Sequence, residues 1–255
     1  MTPEQRRSLR AHLLASGIAG ETATTRENTV SNAEKLAAGD PDKHLGIGAR
    51  GRDARGVMEA VARLCGCSAS LDERAGGGVI DPDLVLDALE ELGDRLARAA
   101  ERGERMLIAT GHPTGLLPLY QALGRALVSA GVKLETPLDD VRMESPAKDR
   151  RRIRYLDGVA VLMGGADLLH THDSWPMERL LDEIDPPGLV LADHGWAGAA
   201  ITRGLDVVCF NDVNDPAIAV AQADGLVDVV VPCDDNLPPA SYEPVRDYLV
   251  SRLER

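Results

Sequence analysis

Four of the six histidines in this chain stand just beyond short apolar runs. His112 follows the run 106–109, within Thr110-Gly111-His112-Pro113-Thr114-Gly115. His170 and His172 follow 168–169, as His170-Thr171-His172-Asp173. His194 follows 189–192, as Asp193-His194-Gly195-Trp196. An imidazole titrates near neutrality, so it can ligate a metal, move a proton or, as a cation, hold a phosphate. In an extended segment His170 and His172 point to one face and could share a metal. Asp193, His194 or Asp212 would complete that shell, and such nitrogen and carboxylate donors suit zinc, iron or manganese, with magnesium where carboxylates and water dominate. The competing reading is a histidine pair bonded to nearby carboxylates, or cationic and bound to phosphate.

The turn around His112 calls for different chemistry. Strand, glycine turn and helix aim backbone N–H groups and a helix start at one spot, which favours an anion. Thr110, Gly111, Thr114 and Gly115 are then candidate substrate contacts, and His112 a candidate proton donor to a leaving group. Its spacing is neither a Walker loop nor a GxGxxG pattern, so no nucleotide cofactor is expected. After 207–210 comes Asn211-Asp212-Val213-Asn214-Asp215-Pro216. Asn214 is a candidate for positioning substrate, whereas Asp215 before a proline reads as a helix cap. Asp234-Asp235-Asn236 is either a metal or base cluster or a solvated loop. Arg26 and Asn28, at a helix start, are candidate contacts reaching over from the N-terminal part.

The elements that must position these residues follow from periodicity. The apolar runs are 106–109, 132–134, 159–163, 168–169, 189–192, 207–210 and 227–231, with helices between them. Continuous apolar strands alternating with helices predict a mainly parallel sheet covered on both faces, a Rossmann-like three-layer α/β unit. Ligands in such sheets bind beyond the carboxyl ends of the strands, where the polar residues above cluster. Gly164-Gly165 predicts a hairpin or bulge. Residues 1–104 read as helical without a strong strand, and 105–255 as the α/β part carrying the site, the two closely packed or one integrated domain. Thr2-Pro3 and Asp81-Pro82 are helix starts, and Val85, Leu89, Leu92 and Leu96 form one apolar face.

Composition narrows the classes. The net charge is −13, and the aromatics are one Phe, two Trp and four Tyr, which argues against nucleic-acid and anionic-membrane binding. The basic run 148–154 reads as a solvated loop, with a phosphate contact as the alternative. No apolar leader or bilayer-length run is visible, and Cys65, Cys67, Cys209 and Cys233 read as free thiols, so a cytoplasmic protein is expected.

Taken together, Ala109-Thr110-Gly111-His112-Pro113, His170-Thr171-His172, Ala192-Asp193-His194-Gly195-Trp196-Ala197-Gly198 and Asn214-Asp215-Pro216-Ala217 resemble a bacterial, mainly actinobacterial family labelled "phosphatase". Ala23-Thr24-Thr25-Arg26-Glu27-Asn28, Lys35-Leu36-Ala37-Ala38-Gly39-Asp40 and Ile80-Asp81-Pro82 extend the resemblance over nearly the whole chain. The chain departs from the family pattern at Thr114, Asp173-Ser174-Trp175, Asn236 and the basic stretch 136–155, changes that bear on substrate more than on fold. The resemblance implies a phosphatase, and with the anion-compatible turn and the ring of His and Asp residues it gives the leading expectation, hydrolysis of a phosphomonoester of a small cytoplasmic metabolite, with or without a metal. His112, His170, His172, Asp193 and His194 would be catalytic. Thr110, Gly111, Thr114, Gly115, Arg26, Asn28 and Asn214 would bind substrate, and His170, His172, Asp193 and Asp212 would hold Mg, Mn or Zn. The rival readings are a metal-dependent lyase, a hydrolase of a non-phosphate bond, and a non-catalytic protein that binds a phosphorylated ligand.

Overall fold

Residues 1–254 are described by a computed structural model. Helix α1 (Pro3–Ser16) starts where Thr2 accepts from the Gln5 N–H and Gln5 reaches back to the Thr2 N–H, and it stops at left-handed Gly17. Then come β1 (Gly20–Thr25), α2 (Arg26–Ala37), α3 (Ala54–Cys65), β2 (Gly77–Ile80) and α4 (Pro82–Glu101). Asp81 caps α4 through the Asp83 N–H, and Val85, Leu89, Leu92 and Leu96 are all buried on its inner face.

The rest of the chain is β3 (Arg105–Thr110), α5 (Leu117–Ser129), β4 (Lys133–Leu134), β5 (Arg142–Glu144), β6 (Arg150–Leu156), β7 (Val159–Gly164) and β8 (Asp167–Leu168). It continues with α6 (Trp175–Leu181), β9 (Leu189–Ala192), α7 (His194–Thr202), β10 (Val207–Asn211), α8 (Pro216–Ala223), β11 (Val229–Pro232) and α9 (Glu243–Leu253). The main sheet runs β11-β10-β9-β3-β7-β6-β5. β11, β10, β9, β3 and β7 are parallel, while β6 and β5 add antiparallel to the β7 edge. β4 pairs with the start of β3, and β8 folds back on β7 around Gly164-Gly165, as the paired glycines predict.

β3 lies between β9 and β7, so the chain leaves it toward one side and later returns on the other. Such a reversal opens a crevice at the carboxyl ends of the strands. Helices cover both faces. α1 and α4 pack with α5 and α9, and α2 and α3 with α6, α7 and α8, over one continuous apolar core. Among the described residues no helix is long and apolar enough to cross a membrane.

Two expectations need correction. The N-terminal part is not wholly helical, because β1 and β2 form a two-stranded antiparallel sheet. β1 reads Gly-Glu-Thr-Ala-Thr-Thr and buries only Thr22, whose hydroxyl donates to the Thr24 and Gly78 carbonyls, so no apolar alternation announces it. The basic run 148–154 is not a solvated loop but leads into β6. Ile153 faces the core, and the arginines around it pair with Asp139, Asp140 and Asp149. Long charged side chains masked a half-buried strand.

Candidate active site

The strand ends converge on one cleft of 240 Å³. β3 leads to His112, the segment after β8 to His170 and His172, and β9 to His194 at the start of α7. β10 leads to Asp212, Asn214 and Asp215, and β11 to Asp235 and Asn236. The facing wall comes from the N-terminal part: Thr24, Asn28, Asn32 and Lys43. Side chains tie this wall down. Thr24 Oγ1 donates to Asp212 Oδ2 at 2.7 Å, Asn32 Nδ2 to the Asn214 carbonyl at 2.9 Å, and Asn214 Nδ2 to Asn28 Oδ1 at 2.8 Å.

His194 is the hub. Its ring is nearly buried, with Nδ1 3.0 Å from Asp193 Oδ1 and Nε2 3.2 Å from Asp215 Oδ2 and 3.6 Å from Asp235 Oδ2. Its φ is 47°, a left-handed conformation that costs a non-glycine residue about 1–2 kcal/mol, offset here by carboxylates on both ring nitrogens. Burial pulls its pKa down, but Asp215, the bond to Asp193 and Asp235 outweigh burial and raise it well above the ordinary value. Without a metal, these carboxylates therefore favour the protonated ring of His194. Burial pushes Asp215 up, yet the His194 charge wins and holds it below the usual carboxylate range. Asp235 and Asp212 go the other way, raised by burial and by neighbouring carboxylates.

The other rings gather around this cation. Centroids lie 4.4 Å apart for His112 and His170, 4.7 Å for His172 and His194, and 5.0 Å for His170 and His172. Burial lowers the pKa of all three partners, and the His194 charge adds to it; His170 is taken down to about 4. Three neutral imidazoles thus surround one charged one.

Two sets of donors meet here, His112 with His170 and His194, and His172 with His194 and Asp215, each with ligand atoms within 4.8 Å of one another. The His170-x-His172 segment is not an extended strand, and its two rings fall into different sets. Asp193 does not line the cleft: Oδ1 accepts from both the Gly111 N–H (2.7 Å) and His194. Asp212 lines the cleft but belongs to neither set. Asp215, read from sequence as a helix cap, makes no side-chain cap bond and faces His194 instead. The aspartate-proline pair concealed it.

The residues present fit a cation. His112 Nε2 lies 3.2 Å from Asn236 Oδ1, which assigns the proton to Nε2. Nδ1 is then buried without a hydrogen-bond partner, 3.6 Å from Asp235 Oδ1, and can ligate a cation between them. Asp193 on His194 Nδ1 likewise directs Nε2 at the cleft, the support commonly given to a metal-bound histidine.

Other expected contacts lie elsewhere. Arg26 is buried with its guanidinium on the carbonyls of Ser68, Ser70 and Glu73, so it straps a loop instead of reaching substrate. The glycine turn does not present its first N–H groups to an anion, because Gly111 donates to Asp193 and His112 to Thr110 Oγ1 at 2.9 Å. Thr110, Gly111, Thr114 and Gly115 do not line the cleft, whereas Asn28 and Asn214 do. Gly111 serves packing: its carbonyl accepts the Thr171 N–H, and a Cβ there would stand 2.5 Å from the Thr171 carbonyl oxygen. Gly115 likewise sits where a Cβ would stand 2.3 Å from the Asp235 carbonyl oxygen. Sequence reasoning missed Lys43, which ends a short 3-10 turn (Pro41–Lys43), carries no periodic signal, and is the one Lys or Arg lining the cleft among the described residues.

A family model described as Phosphatase matches residues 4–255. A protein of Streptomyces coelicolor named as a phosphatase is 39% identical over 254 residues, covering 96% of this chain and 95% of that protein.

Proposed function

Because the chain belongs to the Phosphatase family, we propose that it hydrolyses the phosphomonoester of a small cytoplasmic metabolite, assisted by a divalent cation (Mg, Mn or Zn). The observation that carries this reading is the pair of donor sets meeting at His194. Asp193, Asp212, Asp215 and Asp235 lie in or under the cleft with Asp234 nearby, and Lys43 is the one Lys or Arg lining it among the described residues. A phosphate ester adds about −1.5 to −2 charges at neutral pH, which such a site holds only with further positive charge. A divalent cation would supply it, neutralising phosphate oxygens and acidifying water.

His112, His170 and His194 would hold that cation, His194 giving up its Nε2 proton to do so, with Asp193 fixing the His194 ring. Lys43, Asn28 and Asn214 orient the phosphoryl oxygens. His172, kept neutral by its burial, accepts a proton from the attacking water. The water oxygen bonds to phosphorus as the ester P–O bond breaks. Asp235, whose raised pKa lets it hold a proton, delivers that proton to the departing alkoxide. Inorganic phosphate and the free alcohol result.

The test is phosphate release from a panel of phosphomonoesters, with chelator and with each metal added back. Release that depends on metal and is lost in His194→Ala is expected. Turnover of carboxylic esters or amides with none of any phosphate ester would overturn the reading.

A further inference from the structure

The main cleft measures 240 Å³ and every residue lining it is polar or charged, which suits a phosphoryl group and leaves no apolar side chain for the rest of a substrate. A second cleft of 280 Å³ adjoins it, and the ring of His170 lines both. We propose that this second cleft is the subsite for the alcohol half of the substrate, and that it selects an uncharged, ring-bearing alcohol with hydrogen-bond donors, of the nucleoside or sugar class. The proposal rests on the phosphatase reading for what occupies the main cleft.

The lining states the chemistry. Trp175, half-buried at the first turn of α6, offers a flat face, and its Nε1 donates to Asp173 Oδ2 at 3.3 Å, which fixes the ring plane. Leu162, Leu169 and Pro146 supply apolar surface around it. An indole facing aliphatic side chains suits the face of a ring rather than a short flexible chain. Arg151 is the one cation in this lining, and its charge is spent on an ion pair with Asp149, which also accepts the Ser145 hydroxyl. Asp173 is exposed at the rim without a basic partner. Carboxylates outnumber cations, so the cleft accepts hydroxyl or amino donors and disfavours a second anionic group.

Geometry makes the two clefts one route. His170 is exposed, its ring centroid lies 4.4 Å from that of His112, and Thr171 beside it donates to the Gly111 carbonyl at 2.9 Å. An ester whose phosphate lies among the histidines therefore has its alcohol directed past His170 toward Trp175.

Trp175 also reports on the cleft. The other tryptophan, Trp196, is fully buried in α7, so a ligand at the surface that changes tryptophan emission acts on Trp175. The experiment compares adenosine 5′-monophosphate with glycerol 2-phosphate, by fluorescence titration and by phosphate release. Adenosine monophosphate should quench emission and glycerol phosphate should not, with kcat/KM higher for the nucleotide by about tenfold or more. Trp175→Ala should remove the quench and about tenfold of kcat/KM for the nucleotide, leaving glycerol phosphate unchanged. Ala147→Phe, on an exposed loop at the mouth, should do the same to kcat/KM by filling the cleft without removing a packing side chain. Equal kcat/KM for the two esters, or equal losses in Ala147→Phe, would overturn the subsite and leave the phosphatase reading standing. If no phosphate ester is hydrolysed, that reading falls and fluorescence alone decides the subsite. Quenching by the nucleotide alone supports it, and no quenching refutes it.

Discussion

Asp193→Asn isolates the charge beneath the hub histidine. Oδ1 alone accepts both bonds in the parent, from Gly111 N at 2.7 Å and from His194 Nδ1 at 3.0 Å, while Oδ2 is buried without a partner. An amide can keep its oxygen where Oδ1 stands and place its nitrogen in the unpartnered position. Shape and both bonds survive, and only the negative charge is lost. Charged bonds contribute about 1.5–3 kcal/mol and neutral ones about 0.5–1.5, so the change should remove about 1–3 kcal/mol in all. For a chain of this size that lowers Tm by roughly 2–12 °C. Asp193→Ala, which strands both donors, should cost more, about 3–5 kcal/mol. The pH dependence has a definite sign. His194 titrates higher folded than unfolded, so its contribution is complete below its ordinary value of 6.5 and disappears as pH rises through the raised folded value. The gap between Asp193→Asn and the parent should therefore be widest at pH 6 and should narrow toward alkaline pH. The assay is thermal melting in chelator at several pH values, followed by metal titration, where affinity should fall about 10–100-fold. A variant that melts with the parent at pH 6 and binds metal equally well would refute this account of Asp193.

Lys43→Ala should raise KM for a phosphomonoester about tenfold, as loss of a charged bond of roughly 1.5 kcal/mol implies, with Tm unchanged; an unaltered KM would remove Lys43 from the site. Gly198→Ala should destabilise by about 1–3 kcal/mol, because its Cβ would stand 1.6 Å from the Leu45 carbonyl oxygen, and activity should fall as the segment behind Lys43 is displaced. Denaturant melts and kinetics on that variant check both effects. Arg95 joins α4 to Glu104, Asp206, Asp228 and the Gly188 carbonyl, far from the cleft. Since two of those carboxylates are partly exposed, Arg95→Met should lower stability by only about 2 kcal/mol, leaving kcat per folded molecule intact.

The parallel core was legible because its strands are unbroken apolar runs and its helices carry caps such as Thr2 and Asp81 with regular buried faces. The four histidines were legible as one set because each follows such a run, and the sheet rule assigns those ends to one edge. What stayed hidden has physical reasons. β1 buries a single threonine and β6 is built from arginines, so neither shows alternation. Asp215 looked like the cap that its proline suggests. Parity along an extended strand would have paired His170 with His172, but the chain turns there and each ring joins a different neighbour. Arg26 and Lys43 were indistinguishable as charges on polar segments, and only tertiary contacts send one to carbonyls and the other to the cleft.

The segment that carries His170, His172 and Trp175 rests on absent side chains. A Cβ on Gly111 would strike the Thr171 carbonyl, and one on Gly195 would come within 2.2 Å of the His172 carbonyl. Its path is therefore fixed from below by main-chain atoms, while the side chains of Asp173 and Trp175 line the second cleft. Such a scaffold separates what must be inherited from what can drift. Two glycines keep the imidazoles in register, and exchanges at 173 and 175 can retune which alcohol is accepted without passing through an unfolded ancestor. Among descendants of one gene, new substrates would be expected to arise by changes at those two positions and along 145–151, with the histidine ring carried forward unaltered.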